Sequence, residues 1–196
     1  MASDVDICNS ALNIIGASNI ISLTEDSRAA RVCNQRYEFV RDSVFRAHPW
    51  NCLIRRVSIA ADSDTPAFEF SAQHSLPTDP YCLRVIRPED PDTVFRVEGR
   101  KIMSSTTPFK MIYVARITDP NEYDQLLIES IAARLAHEIS YALVNSASLT
   151  AQLFQLYTNK LSEARFVDAT EGTPDNIVNI DRASYAESSI LVSSRF

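Results

Sequence analysis

The longest uninterrupted helical pattern in the chain runs from Asp119 to Asp168, and it constrains the fold more than any other feature. Asp119-Pro120 is a helix-start signal, because Asp caps free backbone N–H groups and Pro fits the first helical position. Apolar residues then recur at helical spacing at Tyr123, Leu127, Ile131, Leu135, Ile139 and Leu143. After a pause at residues 145–148 the stripe resumes with Leu149, Leu153, Leu156 and Leu161, up to Phe166. The sequence therefore predicts a hairpin of two helices.

The apolar stripes of this hairpin need further helices to cover them, and the best candidates lie near the N-terminus. A first helix is capped by Ser3, ends at Gly16 and carries an apolar face formed by Val5, Cys8, Leu12 and Ile15. A second helix begins near Asp26, after a capping-box pattern at residues 22–25, and ends at His48-Pro49. We expect these helices and the hairpin to form a four-helix bundle.

Between the two helical regions the apolar period changes to two, which is typical of strands. The segments that fit are residues 53–59, 68–70, 82–86, 95–98, 101–103 and 110–114. Prolines fall mostly between these segments, and Gly99 lies where a hairpin would turn. The sequence predicts an α+β fold with three parts. Residues 1–50 and 119–172 form the helical domain, 51–118 an inserted small antiparallel β-subdomain, and 173–196 an extended C-terminal tail.

The tail is rich in Ser and Asn, with scattered apolar residues that show no periodic face. A segment of this kind typically becomes ordered on a neighbour. We predict that the tail contacts a partner through Ile177, Ile180, Tyr185, Ile190, Leu191 and Phe196. For contacts between subunits the candidates are Arg28, Arg31, Arg36 and Arg41 on the second helix. The alternative for these arginines is a solvated face on which they pair with neighbouring Glu and Asp.

Composition indicates a soluble globular protein, with 196 residues, a formal net charge of −6 and 45% hydrophobic residues. The acidity argues against a protein that wraps nucleic acid with a basic surface. Cys8, Cys33, Cys52 and Cys82 form no CxxC motif, so buried free thiols in a reducing compartment are expected. A basic, apolar signal segment is missing from the start, and no apolar run is long enough to span a bilayer, so we expect no secretion or membrane anchoring.

The sequence contains no complete motif for metal binding, phosphate binding or catalysis. His137-Glu138 begins like the HExxH zinc motif, but position 141 is Tyr, so the second imidazole is missing. His48 and His74 lie in other segments, and three glycines are too few for a phosphate-binding loop. The sequence predicts no metal, no cofactor and no catalytic residues, and therefore no enzyme. The one Trp, Trp50, is expected to be a buried residue that fixes the junction between helix and strand.

An ordered series of short segments resembles a known family. The segments are SRAARVCNQRY (27–37), HPWN (48–51), LPTD (76–79), LRV (83–85), VEGRKI (97–102), YVARITDP (113–120) and AARLA (132–136). This series is similar to the tail tubular protein A family, the head-to-tail adaptor or gatekeeper proteins of short-tailed bacteriophages. The resemblance extends to about Gly172, and the final tail has no counterpart in it.

The resemblance implies a structural virion protein, assembled in the host cytoplasm, that forms a ring of twelve copies. The ring would attach to the portal protein above and the tail nozzle protein below, and genomic DNA would pass through its lumen without sequence-specific binding. Negative side chains along the lumen would repel phosphates and let DNA slide. Two alternatives stay open: another neck or head-completion protein of the virion, and a cell-wall hydrolase with a paired-carboxylate site.

Overall fold

The computed structural model describes residues 2–171, which form an α+β fold with four helices and two small antiparallel sheets of three strands each. The helices are α1 (Asp4–Ile15), α2 (Arg28–Ala47), α3 (Gln125–Val144) and α4 (Ala147–Thr170). The strands all lie between α2 and α3 in the chain. They are β1 (Ile54–Ile59), β2 (Ala72–Ser75), β3 (Cys82–Pro88), β4 (Phe95–Glu98), β5 (Lys101–Ser104) and β6 (Phe109–Ala115).

The ends of α1 follow the local signals in the sequence. The Ser3 hydroxyl accepts a hydrogen bond from the Asp6 backbone N–H at 3.2 Å, and the Asp6 carboxylate accepts one from the Ser3 N–H at 3.0 Å. At the other end Gly16 adopts a left-handed conformation with φ of +72°, which a residue without a Cβ tolerates. The predicted start and end of this helix are confirmed.

The start of α2 differs from the prediction. The Ser27 hydroxyl, not the pattern at residues 22–25, caps the helix by accepting from the Ala30 N–H at 3.1 Å. The Glu25 carboxylate instead accepts from the Ile21 N–H at 2.8 Å, so this residue is used inside the preceding loop. The helix ends at Ala47 as predicted, because His48 before Pro49 is extended.

The hairpin of α3 and α4 is confirmed, although α3 starts later than expected. Asp119-Pro120 opens only a short 3-10 turn, after which Tyr123 is extended and Asp124 caps α3 through the N–H groups of its first turn. At the far end Asn145 is left-handed and stops α3. Ser146 then caps α4 by accepting from the Leu149 N–H at 3.3 Å.

The strands form two sheets where the sequence predicts one. In the first sheet β6 lies between β1 and β3, with Ile54 opposite Val114 and Ile59 opposite Phe109. In the second sheet β5 lies between β2 and β4, with Gly99 at the tight β4–β5 turn. The strand predicted at residues 68–70 is wrong, because Glu69 has a positive φ of 72° that is incompatible with a strand.

The buried side chains of all four helices belong to one hydrophobic core, which also takes in residues from both sheets. The helices are arranged around α3, which packs against α1, α2 and α4. Phe45 of α2 meets Tyr123 edge-on, with 5.3 Å between ring centroids. This core fixes the direction in which α2 and α4 present their outer faces.

Candidate interaction surfaces

Three of the four predicted contact arginines are exposed on α2, and two of them reach α3. The Arg28 guanidinium donates to the carbonyl of Ala142 at the end of α3. Arg36 pairs with Glu138 at 2.8 Å, and Glu138 in turn pairs with Arg134 at 2.7 Å. These contacts hold α2 against α3 while leaving the outer sides of the two arginines in solvent.

Arg31 is bound differently from Arg28 and Arg36. Its guanidinium pairs with Asp26, which lies just before α2, and the arginine side chain is 62% exposed. An ion pair as exposed as this contributes little to stability. Arg31 is therefore the arginine of this set that is most available to a partner.

Arg41 is buried within its own subunit, with a relative exposure of 4%. Its guanidinium donates to Asp42 at 3.0 and 3.1 Å and lies over the Tyr37 ring. Burial on its own would lower the pKa of Arg41, but the Asp42 carboxylate more than offsets this and the pKa is raised. Arg41 therefore stays charged and has the least surface of the four to offer to another subunit.

The predicted contact residues of the tail lie outside the described residues. They are Ile177, Ile180, Tyr185, Ile190, Leu191 and Phe196. Their role in partner binding stays a prediction.

The outer faces of α2 and α4 expose large apolar side chains that the sequence analysis did not identify as surface residues. Phe166 of α4 is 74% exposed, and Phe39 of α2 is 71% exposed. The prediction that Phe166 continues the buried stripe of α4 is wrong, because Ala164 and Asp168 take the inward positions at this end of the helix. Phe39 could have been recognised, since it falls off the apolar line through Tyr37, Val40 and Val44.

Phe166 is exposed because α4 is covered on one side only. Within residues 2–171, α3 is the one helix against which α4 packs along its length. The contacts include the His137 ring and the Thr150 carbonyl oxygen, 3.0 Å apart, and Arg134 over the ring of Tyr157. The opposite side of this helix, with Phe166 and its neighbour Val167, faces outward.

The C-terminal end of α4 is anchored to the segment between α2 and β1. The carboxylate of Asp168 accepts from His48 Nε2 and from the Asn51 backbone N–H, both at 3.0 Å. The Asn51 side chain donates back to the Asp168 carbonyl at 2.7 Å, and Arg165 donates to the Ala47 carbonyl at 2.8 Å. Residues so far apart in the chain gave no local signal for this anchor.

We expect Asp168→Ala to destabilise the protein by about 1–3 kcal/mol, because it removes a buried carboxylate and leaves the partly buried donors of His48 and Asn51 without their acceptor. Glu163→Ala, an exposed carboxylate on the same helix, is the matched control and should change stability by less than about 0.5 kcal/mol. Denaturant unfolding of both variants measures the difference. Equal unfolding midpoints would show that the anchor does not stabilise α4.

In the described part of the chain, the histidines and cysteines do not come together to form a metal site. His74 is buried with its Nδ1 3.0 Å from the Ala60 carbonyl oxygen, far from any cluster of ligands. Across residues 2–171 no three His, Cys, Asp or Glu side chains converge in a way that could hold a metal ion. All four cysteines are free, and three are buried as predicted, whereas Cys52 is half-buried.

The thiols of Cys8 on α1 and Cys33 on α2 lie close together because these two helices pack against each other. The hydrogen bond from Cys8 to Cys33, together with burial, raises the pKa of Cys8. A thiol in such surroundings behaves as a small apolar side chain rather than a nucleophile.

Among the described helices, none combines the length and the apolar character required to cross a bilayer.

A scan against protein-family models found no match for this chain, and a search of curated proteins found no significant match either.

Proposed function

We propose that this chain is a structural head-to-tail adaptor of a phage virion. Copies of it, twelve in number, form a ring between the portal protein and the tail nozzle protein, around the channel through which DNA leaves the capsid. The ordered sequence resemblance, which extends to about Gly172, supports this assignment. The structural observation that carries it is the uncovered outer face of α4, with Phe166 74% exposed.

An exposed apolar face of this kind indicates a contact with another molecule. A ring requires each subunit to present two different surfaces, because one surface must fit the other surface of the next copy. The outer face of α4 and the exposed face of α2, with Phe39 and Arg31, are two such surfaces on different helices. Helix contacts repeated around a closed ring would add up to a stable collar.

In this proposal α1 to α4 form a four-helix bundle, and a neighbouring subunit covers the side of α4 that its own chain leaves open. The strands of residues 51–118 form the inserted subdomain, and residues 173–196 extend to the partner. Every subunit then contributes the same helix to the same contact, which suits a protein that acts by shape rather than by chemistry.

The distribution of charge supports passage of DNA. Residues 119–171 carry eight acidic and three basic side chains, so most of the net negative charge of the chain lies in the α3–α4 region. Carboxylates directed toward the channel would repel the phosphates of DNA instead of binding them. The genome would then slide past without adhering to the wall.

Deleting the residues after Asp175 should leave a folded subunit that no longer docks on the portal, because the four helices and two sheets described for residues 2–171 stay intact. Circular dichroism and the melting temperature of the truncated protein should equal those of the full chain. Binding to purified portal, followed by sedimentation, should fall to background. Docking at full strength by the truncated protein would rule out the tail as the partner contact.

The position of the protein in the particle distinguishes an adaptor from another neck or head-completion protein. Virions carrying a label on this chain should show density directly beneath the portal and above the nozzle. A label that lies further down the tail, or inside the head, would reject the adaptor assignment while leaving a virion role intact.

A further inference from the structure

A groove rich in arginine lies between the end of α2, strand β3 and the β4–β5 hairpin. Its volume is about 550 Å³. The described residues that line it include one carboxylate and four arginines, namely Asp42, Arg46, Arg84, Arg100 and Arg116. This concentration of positive charge contrasts with the net charge of −6 of the whole chain.

Three of the guanidinium groups in the groove lack a carboxylate partner among residues 2–171. Arg84 donates to the Arg46 carbonyl at 3.2 Å, and Arg100 donates to the carbonyls of Cys82 and Pro77 at 2.7 and 2.8 Å. Arg46 donates to the Leu83 carbonyl. Backbone carbonyls therefore orient these three exposed arginines without neutralising their charge.

The single carboxylate of the groove is already engaged. Asp42 pairs with Arg116 at 2.6 Å and with Arg41, outside the groove, at 3.0 Å. One carboxylate shared between two guanidiniums has no capacity left for the other arginines. The groove therefore keeps an unbalanced positive charge that an anionic ligand can neutralise.

Two of the arginines are also held in place by an aromatic ring. The guanidinium carbons of Arg100 and Arg116 lie 3.9 and 4.4 Å from the centroid of the Tyr81 ring. Such stacking reduces the entropy that these side chains lose when they bind a carboxylate. The groove is therefore organised for an anionic ligand before the ligand arrives.

The remaining lining favours a peptide over a nucleic acid. Apolar side chains stand beside the arginines, namely Leu76, Leu83, Val85, Phe95 and Val97. A phosphodiester backbone offers nothing apolar to cover them, whereas a peptide with both carboxylates and aliphatic side chains satisfies both parts of the lining. The ligand chemistry that fits is an acidic, aliphatic segment.

Strand β4, which supplies Phe95 and Val97 to the groove, lies at the edge of its sheet. Among the described residues it pairs with β5 alone, so its other side has no partner strand. The free backbone groups of an edge strand can bind another extended chain. This edge is a second reason to expect a peptide, since a phosphodiester backbone cannot add a strand to a sheet.

We propose that the Arg46–Arg84–Arg100 groove binds an acidic, aliphatic segment of a partner protein in an extended conformation. Carboxylates of the segment pair with the guanidiniums, and its aliphatic side chains cover Phe95 and Val97. Binding of this kind depends on neither the ring nor the portal, so the free subunit is sufficient to test it.

Fluorescence anisotropy of a labelled peptide, titrated with the full-length free subunit, tests the proposal. The probe is a peptide of about eight residues that alternates aspartate with leucine, a period that suits an extended chain. It should bind saturably. A matched peptide with asparagine for aspartate should bind at least about tenfold more weakly, because it forms no ion pair. A peptide with serine for leucine keeps the charge and should also lose about tenfold, because the apolar lining stays uncovered.

Changes in the groove should weaken binding of the aspartate–leucine peptide in the same way. Arg84→Gln should lower the affinity about tenfold, and Val97→Ser, at a side chain that is 47% exposed, about threefold to tenfold. Arg31→Gln and Val94→Ser are the matched controls, since both residues are exposed and lie outside the lining, and both should keep the affinity. All four variants should melt within about 2 °C of the natural protein, which separates lost binding from lost folding.

Three results would overturn the proposal. The first is equal affinity for the aspartate and asparagine peptides, or an affinity that Arg84→Gln leaves unchanged. The second is a short duplex DNA that binds the natural protein more tightly than the peptide and loses its affinity in Arg84→Gln, which would assign the groove to phosphates. The third is self-association of the free subunit that Arg84→Gln abolishes, which would assign the groove to a second copy of this chain.

Discussion

Trp50→Ala is expected to lower the free energy of unfolding by about 3–5 kcal/mol, the range for removing a large buried aromatic side chain. Trp50 is 1% exposed, and its Nε1 donates to the Val44 carbonyl at 3.0 Å. The His48 ring meets it edge-on at 4.9 Å, next to the Asp168 anchor. One side chain therefore ties together the end of α2, the start of the sheets and the end of α4.

Thermal and denaturant unfolding measure this effect. A loss of this size should lower the melting temperature by roughly 6–20 °C for a chain of this length. Phe68→Ala is the matched control, because Phe68 is 81% exposed and its removal should change stability by less than about 0.5 kcal/mol. Equal melting temperatures for Trp50→Ala and the natural protein would show that the junction does not depend on Trp50.

Phe166→Glu is expected to prevent ring assembly while leaving the free subunit folded. In the free subunit Phe166 is 74% exposed, so the change removes little packing within the chain. In the proposed ring the same side chain is buried against a neighbour, where it contributes about 1.5–3 kcal/mol at each contact. Losing it weakens each contact by roughly 10- to 100-fold, and the closed ring repeats that loss at every interface.

Analytical ultracentrifugation after mixing with portal measures ring assembly. Phe68→Glu is the matched control, since it places the same charge on a similarly exposed phenylalanine in the region between β1 and β2. The control should assemble normally, and Phe166→Glu should form no closed ring on the portal. Normal assembly by Phe166→Glu would remove α4 from the interface.

Helix ends were predictable where a single residue determines them. Ser3 and Gly16 delimit α1, and Asn145 with Ser146 separates α3 from α4, because capping depends on side chains within a few residues of the helix end. Where two caps compete, the local signal is ambiguous. Ser27 prevails over the residue 22–25 pattern because Glu25 is already bonded to Ile21.

Strand β2 of the second sheet was harder to predict than β4 and β5, because its burial does not alternate. In β2 the consecutive residues Ala72, Gln73 and His74 are all buried, so the period of two that marks a half-exposed strand is missing. The segment at 68–70 does alternate, yet the positive φ of Glu69 breaks it. Burial of both strand faces is a property of the tertiary structure and leaves no simple pattern in the sequence.

The candidate surfaces were predictable only in part. Helical spacing distinguishes exposed Phe39 from the buried line of α2, but Arg41 shows that an arginine at a plausible surface position can be buried beside Asp42. Arg46, Arg84, Arg100 and Arg116 line one groove, yet they come from α2, β3, the β4–β5 turn and the residue after β6. Only the folded chain brings them together, so no sequence spacing could have indicated them.

The central claim is that this protein builds a ring on the portal through its helix surfaces. Native mass spectrometry of the free protein, repeated after mixing with purified portal, tests it most directly. We expect a portal complex that carries twelve copies of the chain. A chain that stays at the mass of a free subunit in the presence of portal would contradict the adaptor function.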